Sequence, residues 1–429
     1  MDFESIASTI PPLGQRGMTK VIQKRDYSNF MANFAMWLPA LPRRAVRHRT
    51  GAGDRQPQCI RIMKKQAYIV YDLAVEDFAQ KLGQKWQKDG YCEVKAMMAI
   101  QATENNKTLS TVESICSWLL GLGADKSATL IGIGGGVTTD MVGLAAALFK
   151  RGIDVEYVPT TLLGQVDAAI GGKTGVNLDG VKNALGIVRL PKKVHILEEP
   201  LETLSPEEFR SGAAEMLKTF LLFDAELYAK AVRIFSLVQG AGYTKEAINS
   251  AIPEIIELSK TASAYKEKAV KKDLFDRDKR HLLNFGHTYG HAREWWQNVE
   301  GGQVAISQAA ATGAPAQAPS AGATPAAGAS SAITLANYTH GEAVAIGMVV
   351  AARLSEIEGI ARPGLAAKIA ADLESCGLPT TLPTPAEQLF PAIANDKKKD
   401  GEKIDFVYIK EIGKPVLKKR RLSDLLIAR

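Results

Sequence analysis

Residues 128–161 read ATLIGIGGGVTTDMVGLAAALFKRGIDVEYVPTT, and the order of chemistries in this stretch decides the fold class. The apolar run ATLIGI suits a strand buried on both faces of a parallel sheet. Three glycines follow, then TDMVGLAAALFKRG at helical spacing, then a second strand-like run, VEYVPTT. A glycine turn that opens a helix lets a nucleotide phosphate approach both backbone and helix N-terminus. Val137 stands where GxGxxG would end, so the turn alone leaves an ordinary structural turn open. Working outward, AYIVYD (67–72) predicts a strand, VEDFAQKLGQKWQ (75–87) a helix, and EVKAMMAIQA (93–102) a strand. TLSTVESICSWLLGLG (108–123) then predicts a helix that starts at Ser110 or Thr111 and ends near Gly121. Strands alternating with helices predict an α/β fold with a parallel sheet.

Beyond about residue 200 the pattern changes to long helices: PEEFRSGAAEMLKTFLLF (206–223), EAINSAIPEIIELSKTASAYKEKAV (246–270) and HGEAVAIGMVVAARLSEIEG (340–359). The expected organisation is an extension at 1–60, an α/β domain at 61–200 and a mostly α-helical domain at 201–429. Residues 1–60 show weak periodicity, several prolines and a basic cluster, and are expected to be poorly ordered. Residues 301–336 consist largely of Ala, Gly, Ser, Pro, Gln and Thr. They lack the large apolar residues that offset ordering entropy, so a flexible insertion is expected.

At 46% hydrophobic and 23% charged residues the composition is that of an ordinary globular protein. No apolar run reaches the roughly 18–20 residues that span a bilayer, and MDFESIASTI is not a secretory leader. The four cysteines, Cys59, Cys92, Cys116 and Cys376, form no CxxC pair, which favours a reducing compartment over a disulfide framework. The net charge of +7 lies partly in local basic runs without interleaved aromatics, so neither nucleic acid nor membrane is an expected partner. An anionic small molecule is compatible with it.

Three of the six histidines lie between residues 287 and 340: His287 and His291 in NFGHTYGHA, and His340 in THGEAVAIGM. His287 and His291 share a helix face if the segment is helical, and imidazole is the commonest protein ligand for zinc. A carboxylate ligand could come from Glu215, which is three residues from Lys218 in SGAAEMLK. The alternative for that pair is an exposed salt bridge, and spacing alone does not select the carboxylate.

Residues 134–186, GGGVTTDMVGLAAALFKRGIDVEYVPTTLLGQVDAAIGGKTGVNLDGVKNALG, resemble almost position by position the long signature of 3-dehydroquinate synthases. GAAEMLK (212–218), RHLLNFGHTYGHA (280–292), THGEAVAIGM (339–348) and NDKKKDGEKIDFVYIKEIGK (395–414) match further family blocks in the same order. The resemblance implies a Rossmann-like NAD-binding domain followed by a helical metal-binding domain, a homodimer, and a cytoplasmic enzyme. It implies NAD and Zn2+ or Co2+ as cofactors. The implied reaction converts the sugar phosphate 3-deoxy-D-arabino-heptulosonate 7-phosphate to 3-dehydroquinate and phosphate. Oxidation by NAD is transient; phosphate elimination, re-reduction and aldol closure follow, and the cofactor is regenerated.

The same resemblance assigns residues. Glu215, His287 and His340 would be metal ligands, leaving His291 a catalytic or supporting role. The NAD set would be Asp72, Glu104, Lys107, Gly135, Gly136, Val137, Asp140, Thr160, Thr161, Thr203 and Glu208. Lys182 is expected at the cofactor and beside the substrate. Asp167, Lys173, Asn183, Lys218, Lys266, Arg280 and Lys397 would meet the substrate, with Arg151 reaching the neighbouring subunit's phosphate. Clustered Lys and Arg suit a substrate that carries a carboxylate and a phosphate. The chain departs from the family at Ala74, at Thr103, in KKDLFDRDK (271–279), in the paired tryptophans of GHAREWW and in the insertion. Rival expectations are a cyclase of the 2-deoxy-scyllo-inosose synthase kind, a metal-dependent alcohol dehydrogenase, and a catalytically dead relative acting as a binding protein.

Overall fold

The computed structural model describes residues 65–179, 181–298, 338–382, 386–394, 399–400 and 403–427. The expected extension at 1–60, the insertion at 301–336 and Lys397 lie outside the described residues.

The α/β expectation holds. Strands β1 (Gln66–Asp72), β2 (Glu93–Ile100), β3 (Thr129–Gly134), β4 (Asp154–Pro159) and β7 (Lys193–Val194) form one parallel sheet in the order β2-β1-β3-β4-β7. The order reverses between β1 and β3, so their carboxyl ends flank a topological switch point, where doubly wound sheets bind ligands. Every residue of β3 is buried, as a central strand covered on both faces requires. Helices α1 (Glu76–Lys88), α2 (Leu109–Gly121) and α3 (Gly136–Leu148) connect these strands. α2 is capped two or three residues earlier than Ser110 or Thr111 would place it, because the Thr108 hydroxyl accepts from the Thr111 N–H. Short α4 (Leu162–Val166) leads to the antiparallel hairpin β5 (Lys173–Leu178) and β6 (Val181–Val188).

Helices α5 (Pro206–Phe223), α6 (Ala225–Gly240), α7 (Lys245–Lys272), α8 (His287–Asn298), α9 (His340–Ile357), α10 (Leu365–Ser375) and α11 (Ala386–Ala394) follow. The helical region is not purely helical: β8 (Lys399–Asp400), β9 (Lys403–Glu411) and β10 (Lys414–Arg421) form an antiparallel sheet. Phe406, Tyr408 and Ile409 of β9 join the helical core. The Ser355 hydroxyl accepts from the Ile409 N–H, and the Leu221 carbonyl accepts from Gly413, which ties the sheet to α9 and α5. No helix among the described residues is long and apolar enough to cross a membrane.

Glu156 of β4 is buried within a cluster of its own. It faces Lys65 Nζ at 2.7 Å, Tyr91 Oη at 2.7 Å and His195 Nε2 at 3.0 Å. Burial alone would raise its pKa; contacts from His195, Lys65 and Tyr91 reverse this and lower it to about 2 from an ordinary 4.5. A carboxyl depressed on folding adds stability that is complete above its unfolded value and is lost as pH falls toward the folded one. Glu156→Gln should therefore lessen the fall in melting temperature between about pH 4.5 and 2. Parallel melting curves for variant and parent would remove this carboxylate from the acid response.

Candidate active site

Three elements distant in sequence converge on one point. α5 presents Glu215 from its interior, α8 begins at His287 and α9 begins at His340. Glu215 is fully buried, and its Oε1 lies 3.7 Å from His287 Nε2 and 3.6 Å from His340 Nε2. One ligand atom from each of the three falls within 4.8 Å of the others. Around tetrahedral zinc, with bonds of about 2.0–2.1 Å, ligand atoms stand roughly 3.3–3.5 Å apart, so this set needs little adjustment. Lys218 forms an ion pair with Oε2, but neither Glu215 oxygen has a hydrogen bond of good geometry. A buried carboxylate left that way needs further positive charge. The donor set fits a divalent cation held by one carboxylate and two imidazoles. The exposed salt bridge weighed for Glu215 and Lys218 is corrected: both side chains are buried.

Local sequence explains the convergence. Ser205 caps α5 through the Glu208 N–H. Thr339 and Glu342 form a capping box at the start of α9, one residue before His340. Glu342 also meets Arg210 of α5 at 3.3 Å. Gly286 turns the chain into α8 at φ 79°, and its carbonyl oxygen would lie 1.9 Å from a Cβ at Gly347 of α9. Only glycine permits that approach. On the other side of α9, a Cβ at Gly341 would come 2.1 Å from the Ser211 carbonyl oxygen of α5.

The imidazoles differ in their outer contacts. His287 Nδ1 lies 3.2 Å from the Phe285 carbonyl, and His340 Nδ1 lies 3.3 Å from Glu294 Oε2. Burial opposes a charge on His340, but Glu215 and Glu294 push its pKa up to about 10. His291, one turn after His287, is exposed, with its ring 5.1 Å from that of His287 and 6.0 Å from that of His340.

Acid–base pairs surround this centre. Lys266 Nζ donates to the Asp167 carbonyl at 2.6 Å and pairs with its carboxylate. Burial acts to raise the Asp167 pKa, but Lys266, Lys218 and, more weakly, His340 hold it well below the ordinary range. Lys173 pairs with Asp276. Buried Arg280 donates to the Gly171 carbonyl at 2.7 Å and the Leu274 carbonyl at 2.8 Å, which fixes the turn before Lys173. Lys182 lies near enough to help hold the Glu294 carboxyl down.

A second group gathers at the switch point. Lys107 Nζ donates to Asp140 Oδ2 and Asn183 Oδ1, each at 2.6 Å. Burial raises the Asp140 carboxyl to about 6 against the pull of Lys107. Asn177 joins Asn183 to Glu104 by hydrogen bonds of 2.8 and 2.9 Å. Gly135 caps α3, whose first turn holds Gly136 and Val137, without a side-chain bond. Thr160 donates its N–H to the Gly134 carbonyl at 3.0 Å, and Thr161 caps α4. Asp72 borders a cavity of ≈ 370 Å³ with Ala74 and Thr103. Thr203 donates its hydroxyl to the Pro200 carbonyl, and Glu208 donates its N–H to the Ser205 hydroxyl. Arg151 is exposed at φ 65°.

The sequence matches the 3-dehydroquinate synthase N-terminal family over residues 97–211 and the C-terminal family over 212–322 and 324–399. This chain belongs to the 3-dehydroquinate synthase family. It is 34% identical over 328 residues to the 3-dehydroquinate synthase of Campylobacter concisus, spanning 76% of this chain and 81% of that one. It is 36% identical over 329 residues to that of Nostoc punctiforme, spanning 75% and 78%. A 2-epi-5-epi-valiolone synthase from Streptomyces hygroscopicus, solved with NAD+ and Zn2+, shares the fold: TM-score 0.64, 24% identity, 90% of this chain and 98% of that one. A 2-deoxy-scyllo-inosose synthase solved with NAD+ and Co2+ also shares it: TM-score 0.63, 22% identity, 85% and 89%.

Three residues that touch candidate site residues were not singled out in the sequence: Asn177, Asp276 and Glu294. Glu294 follows His287 and His291 at helical spacing, a signal that could have found it. Asp276 lies in the segment that departs from the family, where no local pattern marks it. Gly347→Ala should strain the α8–α9 approach by roughly 1–3 kcal/mol or more, lowering the melting temperature by several degrees and weakening Zn2+ retention. Differential scanning fluorimetry with metal analysis checks this; unchanged stability would show that the turn at Gly286 can yield.

Proposed function

We infer that this chain is a 3-dehydroquinate synthase, an NAD- and divalent-metal-dependent lyase that forms 3-dehydroquinate and phosphate from 3-deoxy-D-arabino-heptulosonate 7-phosphate. The observation that carries this reading is the buried Glu215–His287–His340 set within a shell of paired lysines, in a chain of this family. When bound, the metal supplies Lewis acidity at substrate hydroxyls and NAD a reversible hydride acceptor.

The chain's own residues hold and neutralise the substrate. Lys173, Lys266, Arg280 and Lys397 are assigned to its anionic groups, with Lys182, Asn183 and Asp167 beside them. Asp167 and Asp276 balance Lys266 and Lys173, and an anionic substrate would compete with these carboxylates for the two lysines. Lys218 forms an ion pair with Glu215 and balances its charge. His291, exposed beside both ligand imidazoles, is the candidate for moving protons between substrate and solvent. Asp72, Glu104, Lys107, Gly135, Gly136, Val137, Asp140, Thr160, Thr161, Thr203 and Glu208 are assigned to NAD, with the domain boundary near residue 200. Zn2+ or Co2+ as the resident ion, a homodimer with Arg151 reaching the partner's substrate, and a cytoplasmic location complete the reading.

The deciding experiment measures phosphate and dehydroquinate from the named sugar phosphate with NAD and Zn2+, before and after chelation. Fast, chelator-sensitive release is expected. A folded, metal-loaded protein that releases none would redirect attention to cyclitol-forming substrates, and then to a non-catalytic binding role. His287→Ala should lose bound metal and activity together, as read by metal analysis and turnover. Arg280→Ala should keep the metal and lower kcat/KM by roughly 10–100-fold, the scale of a lost charged hydrogen bond; an unchanged specificity constant would remove Arg280 from the site.

A further inference from the structure

We propose that Glu294 is a positioning residue for the metal centre, holding the Nδ1 edge of His340 so that Nε2 faces the ion. The inference rests on the metal reading above and extends it to a residue outside the ligand set. Glu294 follows His287 and His291 on α8, and its half-buried carboxylate turns toward the start of α9. Its Oε2 lies 3.3 Å from His340 Nδ1, while His340 Nε2 lies 3.6 Å from Glu215 Oε1. The two ring nitrogens point away from each other, so one ion cannot sit at both edges. The edge toward Glu215 and His287 is the ion's; the edge toward Glu294 is the orienting one.

The companion ligand is arranged the same way. His287 directs Nε2 toward Glu215, and its Nδ1 edge rests 3.2 Å from the Phe285 carbonyl. A backbone carbonyl serves one imidazole and a carboxylate the other. Such outer contacts fix the tautomer and rotation of a ligand histidine, and a carboxylate also makes it a stronger donor. His340 has the greater need of this, because its side chain is 29% exposed against 11% for His287. Glu294 also lies within 4.8 Å of ligand atoms of His291 and His340, so a direct ligand role in a second site is the competing possibility.

The test measures equilibrium Zn2+ and Co2+ affinity by chelator competition, ion stoichiometry, and the visible absorption of the Co2+ form, without substrate. Glu294→Ala should weaken binding by about 10–100-fold, the usual loss when such a partner is removed. Glu294→Gln keeps an acceptor without the charge and should fall between variant and parent, with the Co2+ spectrum conserved. It also keeps the test decisive if the alanine variant fails to fold. Unchanged affinity in both variants would overturn the proposal, as would two ions per chain in the parent falling to one in Glu294→Ala. If the parent itself takes up no ion that His287→Ala abolishes, the metal reading fails instead, which separates the two claims.

Discussion

The site is organised around a carboxylate with no access to water. Glu215 lies in the middle of α5, fully buried, and a lone ionised carboxyl there would cost far more than any single packing contact returns. Cationic groups must therefore be brought to it. Lys218 arrives from the next turn of the same helix, and two imidazoles arrive from α8 and α9. The route of the chain serves that requirement: Gly286 and Gly347 let the turn before His287 press on α9, and Gly341 lets α9 press on α5.

The other ion pairs follow the same pattern, although Lys173 itself is exposed. Lys107 with Asp140, Lys266 with Asp167 and Lys173 with Asp276 each place a cation against an acid within reach of the two proposed ligand regions. Buried ion pairs are poor devices for stability, because desolvation offsets much of their attraction. Apolar residues of similar size would hold the fold as well. Pairs grouped at the two regions are better explained by ligands that carry their own charges. The Glu156 cluster, whose acid faces a lysine, a tyrosine and a histidine away from the ligand regions, reads instead as a structural tie between β4 and its surroundings.

The parallel sheet was legible because β3 and β4 are apolar runs with a glycine turn between them, which leaves little choice of environment. The long helices were legible from their periodicity and caps. The β5–β6 hairpin was not, since KTGVNLDGVKNALG is polar and glycine-rich and its strands gain their shape from pairing with each other. The ribbon β8–β10 was missed for a related reason: alternating residues such as Phe406 and Tyr408 find their core only in helices far along the chain. Spacing put Glu215 and Lys218 on one helix face but carried no information on depth. Glu294 sits between arginine and tryptophan, where a charge reads as surface; only the approach of α9 makes it a neighbour of His340.

His287 and His291 look equivalent in sequence, one turn apart in a histidine pair, yet depth separates them. His287 is the first residue of α8, where the glycine turn forces the helix against α9, and it is buried; one turn on, His291 is exposed. Across the helix boundary His287 also faces His340, beyond the insertion, with ring centroids 5.5 Å apart. That distance is held by contacts inside described elements: the Gly286–Gly347 approach, the capping box at Thr339 and the Arg210–Glu342 pair. The cost of closing a loop grows only as the logarithm of its length, about 0.6 kcal/mol per doubling. A long connection between His287 and His340 therefore costs little, because the packing of α5, α8 and α9, and not the connecting chain, sets where the imidazoles meet.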